Sequence, residues 1–356
     1  MEQKEYLIIY HKEDNDGVFS AAIIKRYLME TINVDKGCID LFPSTYASLS
    51  GLIKNEDEPE HPSNWNTNYE HVFIVDISFN EVNIMRNIGK GVYIDTNKVT
   101  WIDHHAPIIR LSNDKKKGFA NLQGVRDTNK SALLLTWQYF YDPIKEYELS
   151  EQLPHFLITL SDYDSWNWVN KYDNADYVTA VNTATTSSTE LDVDKVVTLL
   201  YKLYTKEGFA DVHVNNAIEA EMYEQGEIIF NYNKSMWNSL IEQNGDFEWK
   251  VITDDEVRPA ICIVCQGPSA SQMFAKYKDT KYKNGIVLKW NAKTNNWGGS
   301  MYNINTDDHF HCGEALKLAF KKAGGHEGAA GFTTSKTAFN KMLINKEIVC
   351  ITKKTA

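Results

Sequence analysis

Directly after the apolar run Tyr6–Tyr10 the chain reads His11-Lys12-Glu13-Asp14-Asn15-Asp16-Gly17, an imidazole and three carboxylates with Lys12 as the one nearby cation. Carboxylates brought together repel one another unless a positive charge lies among them, and a divalent metal ion supplies that charge. Comparable groups recur at the ends of later apolar runs. Asp76 closes a stretch of Val, Ile and Phe in VFIVDISF, and Asp103, His104 and His105 follow TWI in TWIDHHAP. In LITLSDYDSW a helical run over 155–161 ends at Ser161 and Asp162, with Asp164 close behind. Each taken singly has an ordinary explanation, since Asp favours helix caps and turns. Four segments that deliver carboxylates and imidazoles to one rim do not fit that explanation together.

Oxygen ligands mixed with imidazole suit Mn²⁺, Mg²⁺ or Fe²⁺, and the lack of thiolates disfavours structural zinc. The groups suffice for two ions, with Asp76, alone on its strand, as the bridge. Two ions roughly 3.5–4 Å apart activate a water and clamp a phosphoryl oxygen. An EF-hand reading of the same DNDG segment fails. That loop needs an acid or amide where Lys12 stands, and a closing Glu that is missing.

The elements that must position these groups alternate between strand and helix. Strands are expected at Tyr6–His11, Cys38–Phe42, His71–Ile77 and Thr100–Ile102. Helices are expected over GVFSAAIIKRYLMET, about 129–142 and 150–161. This pattern reads as an α/β fold with a doubly wound, mainly parallel sheet. In open sheets of that kind ligands bind beyond the carboxyl ends of the strands. Residues 190–242 read as helical, and from Trp249 short strands return, with helices at about 269–278 and 312–323. The expected organisation is a sheet domain over 1–185, a helical connector over 186–247 and a smaller α/β domain over 248–356. The active site is expected in the cleft between the two domains.

Bulk composition narrows the function classes. The 356 residues carry a net charge of −11, which argues against coating long nucleic acid. Residues 271–356 hold fourteen Lys, no Arg and six Asp plus Glu, so a basic C-terminal part follows an acidic body. That asymmetry suits a small anionic ligand. Runs such as ALLL are too short to span a bilayer, no secretion signal precedes the first strand, and five scattered cysteines suit a reducing compartment. A cytoplasmic location is expected, and Cys262 and Cys265 read as buried strand residues.

The ordered set of His-x-x-Asp-x-Asp-Gly, a lone strand Asp, Asp103-His104-His105 and a later Asp resembles the DHH phosphoesterase superfamily. AGGHEGAAGF, over 323–332, resembles the Gly-Gly-His signature of the associated C-terminal domain, and GPSASQMFAKY and GGSMYN fall in that domain's order. The resemblance covers about residues 5–170 and 250–335. It implies that His11, Asp14 and Asp76 hold one metal, and that Asp16, Asp76, His104 and Asp162 hold the other. It implies that His105 contacts the scissile phosphate, with Asp103 orienting the histidines. Gly324, Gly325 and His326 would grip the substrate. The family often carries an Arg in a Ser-Leu-Arg segment; here Ser300-Met301-Tyr302 puts Tyr302 in its place, offering one hydrogen bond or a stacking face.

The expected function is a Mn²⁺-dependent phosphodiesterase, similar to the nanoRNases, that hydrolyses short oligonucleotides or a small nucleotide of similar size to 5′-mononucleotides. Alternatives within the same chemistry are hydrolysis of a cyclic dinucleotide or of 3′-phosphoadenosine-5′-phosphate. The alternative of another class is a catalytically inactive nucleotide-binding protein. No OB-like run of strands and no basic aromatic groove argues for long nucleic acid, and no membrane partner is expected. A homodimer is compatible with this reading.

Overall fold

The computed structural model describes residues 5–52, 54, 56–79, 82–113, 119, 122–141, 153–165, 175–205, 208–209, 212–244, 246–266, 271–278, 280–292, 295–304, 310–325 and 328–351. The chain divides into two compact units, Met1–Ile229 and Phe230–Ala356.

In the first unit, β1 (Tyr6–His11), β2 (Ile39–Ser44), β3 (His71–Val75) and β4 (Val99–Ile102) form a parallel sheet in the order β2-β1-β3-β4. β1 pairs β2 from Tyr6↔Ile39 and β3 from Tyr6↔His71. Alternate residues of β1 enter two different cores. Ile8 and Tyr10 join the cluster with Val18, Ile24, Leu133 and Leu157, whereas Leu7 and Ile9 join Trp65, Met85, Ile88 and Trp101. Such two-sided burial explains why the run is apolar throughout. Full burial of each Leu or Ile contributes about 1.5–3 kcal/mol.

α1 (Asn15–Glu30), α6 (Ala132–Tyr141), α7 (His155–Ser165), α8 (Ala175–Thr189) and α9 (Val193–Leu203) contribute residues to the first core. α2 (Tyr46–Leu52), α3 (Trp65–Asn68), α4 (Val82–Gly89) and α5 (Ala106–Asn113) contribute to the second. The sheet is therefore doubly wound, as expected. Because the chain leaves β1 for β2 on one side and reaches β3 on the other, the strand order switches between β1 and β3. A crevice at the carboxyl ends is the usual result.

Several helical expectations change: the helix expected at about 269–278 is a 3₁₀ turn, Ser271–Tyr277, and the one expected at 312–323 ends at Ala319. The helix expected over 150–161 is α7, which starts just after Pro154 and continues through Asp162 and Asp164; residues 150–152 lie outside the described residues. Pro is well placed at such a start, where its missing N–H costs nothing. The stretch 190–242 is not one helical run. Glu190 and Leu191 take positive φ values of 55° and 54°, and Asp192 caps α9 by accepting from Lys195 N at 3.0 Å. A short antiparallel ladder of β5 (Tyr204–Thr205) and β6 (Gly208–Phe209) then precedes α10 (Val212–Asn244). Glu219 of α10, buried, accepts from His155 at 2.8 Å, Thr159 at 3.1 Å and Tyr177, so one carboxylate joins α7, α8 and α10.

The second unit contains β7 (Phe247–Thr253), β8 (Val257–Val264), β9 (Asn284–Asn291), β10 (Asn296–Asn303), β11 (Lys322–Gly325), β12 (Ala329–Thr334) and β13 (Glu347–Cys350). They form one mixed sheet in the order β11-β12-β10-β9-β8-β7-β13. α11 (Cys312–Ala319) and α12 (Lys336–Asn345) supply Leu316 and Phe339 to one buried cluster. The 3₁₀ turn Ser271–Tyr277 and the C-terminal half of α10 supply Phe274, Trp237 and Ile241 to another. Cys262 and Cys265 are buried and free of disulfides.

Candidate metal centre

β1 ends at His11, and the chain turns at once into α1. Asp14 is the helix cap: its Oδ1 accepts from Gly17 N at 3.0 Å, while Oδ2 lies 2.8 Å from His11 Nδ1. Asp16, in the first turn, accepts from Ala132 N at 2.7 Å and Leu133 N at 2.8 Å, and so also caps α6. Asn15 between them donates through Nδ2 to Asn182 Oδ1 at 2.8 Å and Thr186 Oγ1 at 2.9 Å on α8. The acidic segment is thus fastened to two helices that lie over a hundred residues further along the chain.

Asp76 follows β3 with φ of 55°, a left-handed conformation that Asp tolerates better than most residues but that still costs energy. Its amide donates to Ile102 O at 3.0 Å, holding the residue against β4. Beyond β4, Asp103 is fully buried. Its Oδ1 accepts from the amides of His104 (2.8 Å) and His105 (3.1 Å) and from His105 Nδ1 (2.7 Å); its Oδ2 accepts from Trp101 Nε1 at 3.2 Å. Asp103 thereby fixes the backbone of the turn and the His105 ring, leaving its own oxygens occupied.

The remaining groups converge. His104 Nε2 lies 3.2 Å from Asp76 Oδ1, 3.2 Å from Asp164 Oδ2 and 3.6 Å from Asp16 Oδ2. His11 Nδ1 lies 3.7 Å from Asp76 Oδ2, and His105 Nδ1 lies 3.9 Å from Asp76 Oδ1. Three sets of potential ligand atoms each fall within 4.8 Å: Asp76 with His104 and His105, His11 with Asp14 and Asp76, and Asp16 with His104 and Asp164. Asp76 Oδ1 and Asp164 Oδ2 are buried oxygens that accept no hydrogen bond among the described residues. A buried acceptor left in that state costs about 1–3 kcal/mol, more when charged. A divalent cation relieves that cost, so the residues present fit the metal.

Electrostatics agree. Burial, then repulsion from Asp14 and Asp16, raises the Asp76 carboxyl well above its ordinary range. Asp164 is raised by burial and then by Asp16, and Asp16 by burial together with Asp14. Burial pushes the His104 imidazolium down, but Asp164 and Asp16 outweigh it and hold the ring's pKa above the usual value. Like charges that destabilise one another while fixed in place mark a site built for a charged guest.

The structure brings together His11, Asp14, Asp16, Asp76, His104 and His105, with Asp103 behind them. Asp162, expected as a ligand, lies outside all three sets, whereas Asp164 falls in one of them with Asp16 and His104. Two residues apart on one helix, the two side chains point about 200° apart and cannot both face the same centre. Asp164→Asn is expected to weaken metal binding at least about tenfold. Asp162→Asn should leave the metal-to-protein ratio unchanged, read by elemental analysis after dialysis. In the second unit, Gly325 has φ of 144° and an added Cβ would lie 2.5 Å from Ala329 O, while Gly324 faces open space. His326 lies outside the described residues. Tyr302 is only 9% exposed and packs with Phe274, 5.8 Å between ring centroids, in the buried cluster of its unit. Trp297 stacks on Phe339 at 3.8 Å. One residue near the centre escaped the sequence reading. The Tyr46 ring sits 6.0 Å from that of His11 and 6.1 Å from that of His105.

No protein-family description and no curated protein matches the sequence. Among solved structures, RecJ in complex with Mn²⁺ from Thermus thermophilus is 15% identical, with a TM-score of 0.53. The match covers 98% of this chain and 54% of that one, so the chain spans about half of RecJ. A pGpG-specific phosphodiesterase, PggH from Vibrio cholerae, is 12% identical with a TM-score of 0.46, covering 96% and 97% of the two chains. CDC45 from Entamoeba histolytica is 9% identical with a TM-score of 0.45, covering 96% and 94%. RecJ belongs to the DHH superfamily, and the likeness to it is one of fold.

Proposed function

We propose that this chain, which shares the fold of a DHH-superfamily protein, is a metal-dependent phosphodiesterase. Its substrates would be short oligonucleotides, or a small nucleotide of similar size, cleaved to 5′-mononucleotides. The observation that carries the proposal is the approach of Asp16, Asp76 and Asp164 to one imidazole, His104, with Asp76 Oδ1 and Asp164 Oδ2 buried and accepting no hydrogen bond among the described residues. Structural carboxylates are paired with cations or donors; here three carboxylates crowd one imidazole, short of the positive charge they need.

His11, Asp14 and Asp76 would hold one ion, and Asp16, Asp76, His104 and Asp164 the other, with Mn²⁺ preferred over Mg²⁺ or Fe²⁺ for the mixed imidazole and carboxylate set. The chemistry supplied by two such ions is acidification of the attacking water and polarisation of the phosphoryl group. The chain's own part is orientation. Asp103 accepts a hydrogen bond from His105 Nδ1, which fixes the ring and would direct Nε2 at the scissile phosphate. Gly324, lacking a side chain and facing open space, offers backbone that a phosphate or sugar can approach, and Gly325 beside it holds that backbone close to Ala329 and Ala330. The lysine-rich residues 271–356 favour an anionic substrate of small size.

The test is to supply Mn²⁺-loaded protein with pApA, cyclic di-AMP, 3′-phosphoadenosine-5′-phosphate and pyrophosphate, each with and without chelator. pApA should be consumed fastest, yielding mononucleotide, with turnover abolished by the chelator. Faster consumption of cyclic di-AMP or 3′-phosphoadenosine-5′-phosphate would move the substrate to that class while keeping the chemistry. Turnover of none, with metal bound, would replace the proposal with a nucleotide-binding role.

A further inference from the structure

Tyr46 opens α2 two residues after β2 ends, at the same carboxyl rim as the metal-centre residues. Its ring is half-buried and packs against the apolar cluster of Trp65, Phe79 and Trp101. Thr45 fixes the turn that carries it: Ser48 N donates to Thr45 Oγ1 at 3.1 Å, and Thr45 N donates to Ser48 Oγ at 2.7 Å. The ring lies between two imidazoles of the centre, tilted 46° to His11 and edge-on at 87° to His105. Its hydroxyl makes no hydrogen bond among the described residues. A phenol set between two imidazoles of the centre, with its donor unused among the described residues, is placed to donate to a group that enters this rim.

A phosphodiester brings acceptors to this rim. Its non-bridging oxygens need donors, and the carboxylates have none to give. We propose that Tyr46 is a substrate-contacting residue whose hydroxyl donates to a non-bridging phosphoryl oxygen, on the side of the centre lined by His11 and His105. This inference rests on the phosphodiesterase reading above and adds to it a neutral donor. A phenol keeps its proton across the neutral range, so the contact does not depend on pH near 7.

Tyr46→Phe removes the hydroxyl and keeps the ring; Tyr46→Ala removes both. Each is compared with the native chain, loaded with Mn²⁺, for metal content, for affinity toward inorganic phosphate by calorimetry, and for kcat and KM on whichever substrate is turned over. Tyr46→Phe is expected to keep its full metal content, to bind phosphate about tenfold more weakly and to lose about 10- to 100-fold in kcat/KM. Native phosphate affinity and turnover in Tyr46→Phe would overturn the contact, even if Tyr46→Ala were impaired, because the ring alone would then matter. Loss of metal from Tyr46→Phe would also overturn it, making the residue a support for the ligands. If the native chain hydrolyses nothing, the phosphodiesterase reading fails, and phosphate affinity still decides the role of Tyr46: a tenfold loss in Tyr46→Phe supports it, and an unchanged or absent affinity ends it.

Discussion

Asp76→Asn is expected to empty the metal centre and to cut hydrolysis at least about 1,000-fold, because the residue belongs to two of the three ligand sets and lies 3.2 Å from His104 of the third. Asn is the informative replacement, since it tolerates the positive φ at this position as Asp does. The same change should leave the metal-free protein as stable as the native chain or more so. Asp76 is buried, and Asp14 and Asp16 repel it. Its folded pKa is raised, so without metal the folded state binds more protons than the unfolded one as pH climbs above the ordinary carboxylate value. Stability then falls with rising pH through that window. Thermal melts in chelator at pH 5 and pH 8 should show the native chain losing more stability than Asp76→Asn. Added Mn²⁺ at about 100 times its Kd should raise native stability by about 2.7 kcal/mol and leave the variant unmoved. A variant that retained metal and near-native turnover would remove Asp76 from the centre.

Gly17→Ala should be nearly as damaging by a different route. A Cβ at that position would lie 2.1 Å from His11 O and 2.8 Å from His11 C, both backbone atoms of a central strand. Neither can move aside as a flexible side-chain tip would. The first turn of α1 must therefore shift off β1, which separates His11 from Asp14 and draws Asp16 away from the N-terminus of α6. A loss of about 3 kcal/mol or more is expected in denaturant unfolding. Surviving folded protein should bind metal weakly. An alanine variant with native stability would mean that α1 does not approach β1 this closely.

The sequence carries the sheet of the first unit clearly because β1 and β3 are buried on both faces, so each reads as an apolar run that ends abruptly in a charged residue. Asp76 and the Asp103-His104-His105 turn stand out for that reason. α7 was less legible. Ser161-Asp162-Tyr163-Asp164 has low helix propensity, and nothing in it shows that packing of Phe156, Leu157 and Leu160 carries the helix onward past Asp164. Which aspartate faces the centre depends on that phase. Tyr46 was invisible among nineteen tyrosines, since only the fold sets its ring between His11 and His105. Tyr302 stood out by its place in a motif, but its surroundings did not: strand alternation turns it toward Phe274.

Asp16 has a practical bearing on how inactive forms of this protein should be made. Both of its oxygens are already spoken for by amides of another helix, so an amide side chain there would aim an N–H group at one of those donors. Asp16→Asn would thus unmoor the start of α6 as well as alter the ion's surroundings, at a cost of about 0.5–2 kcal/mol for the lost cap. Under the proposed reading, a silent variant for trapping nucleotide is better built elsewhere on the rim, where silence in an assay reports on chemistry alone.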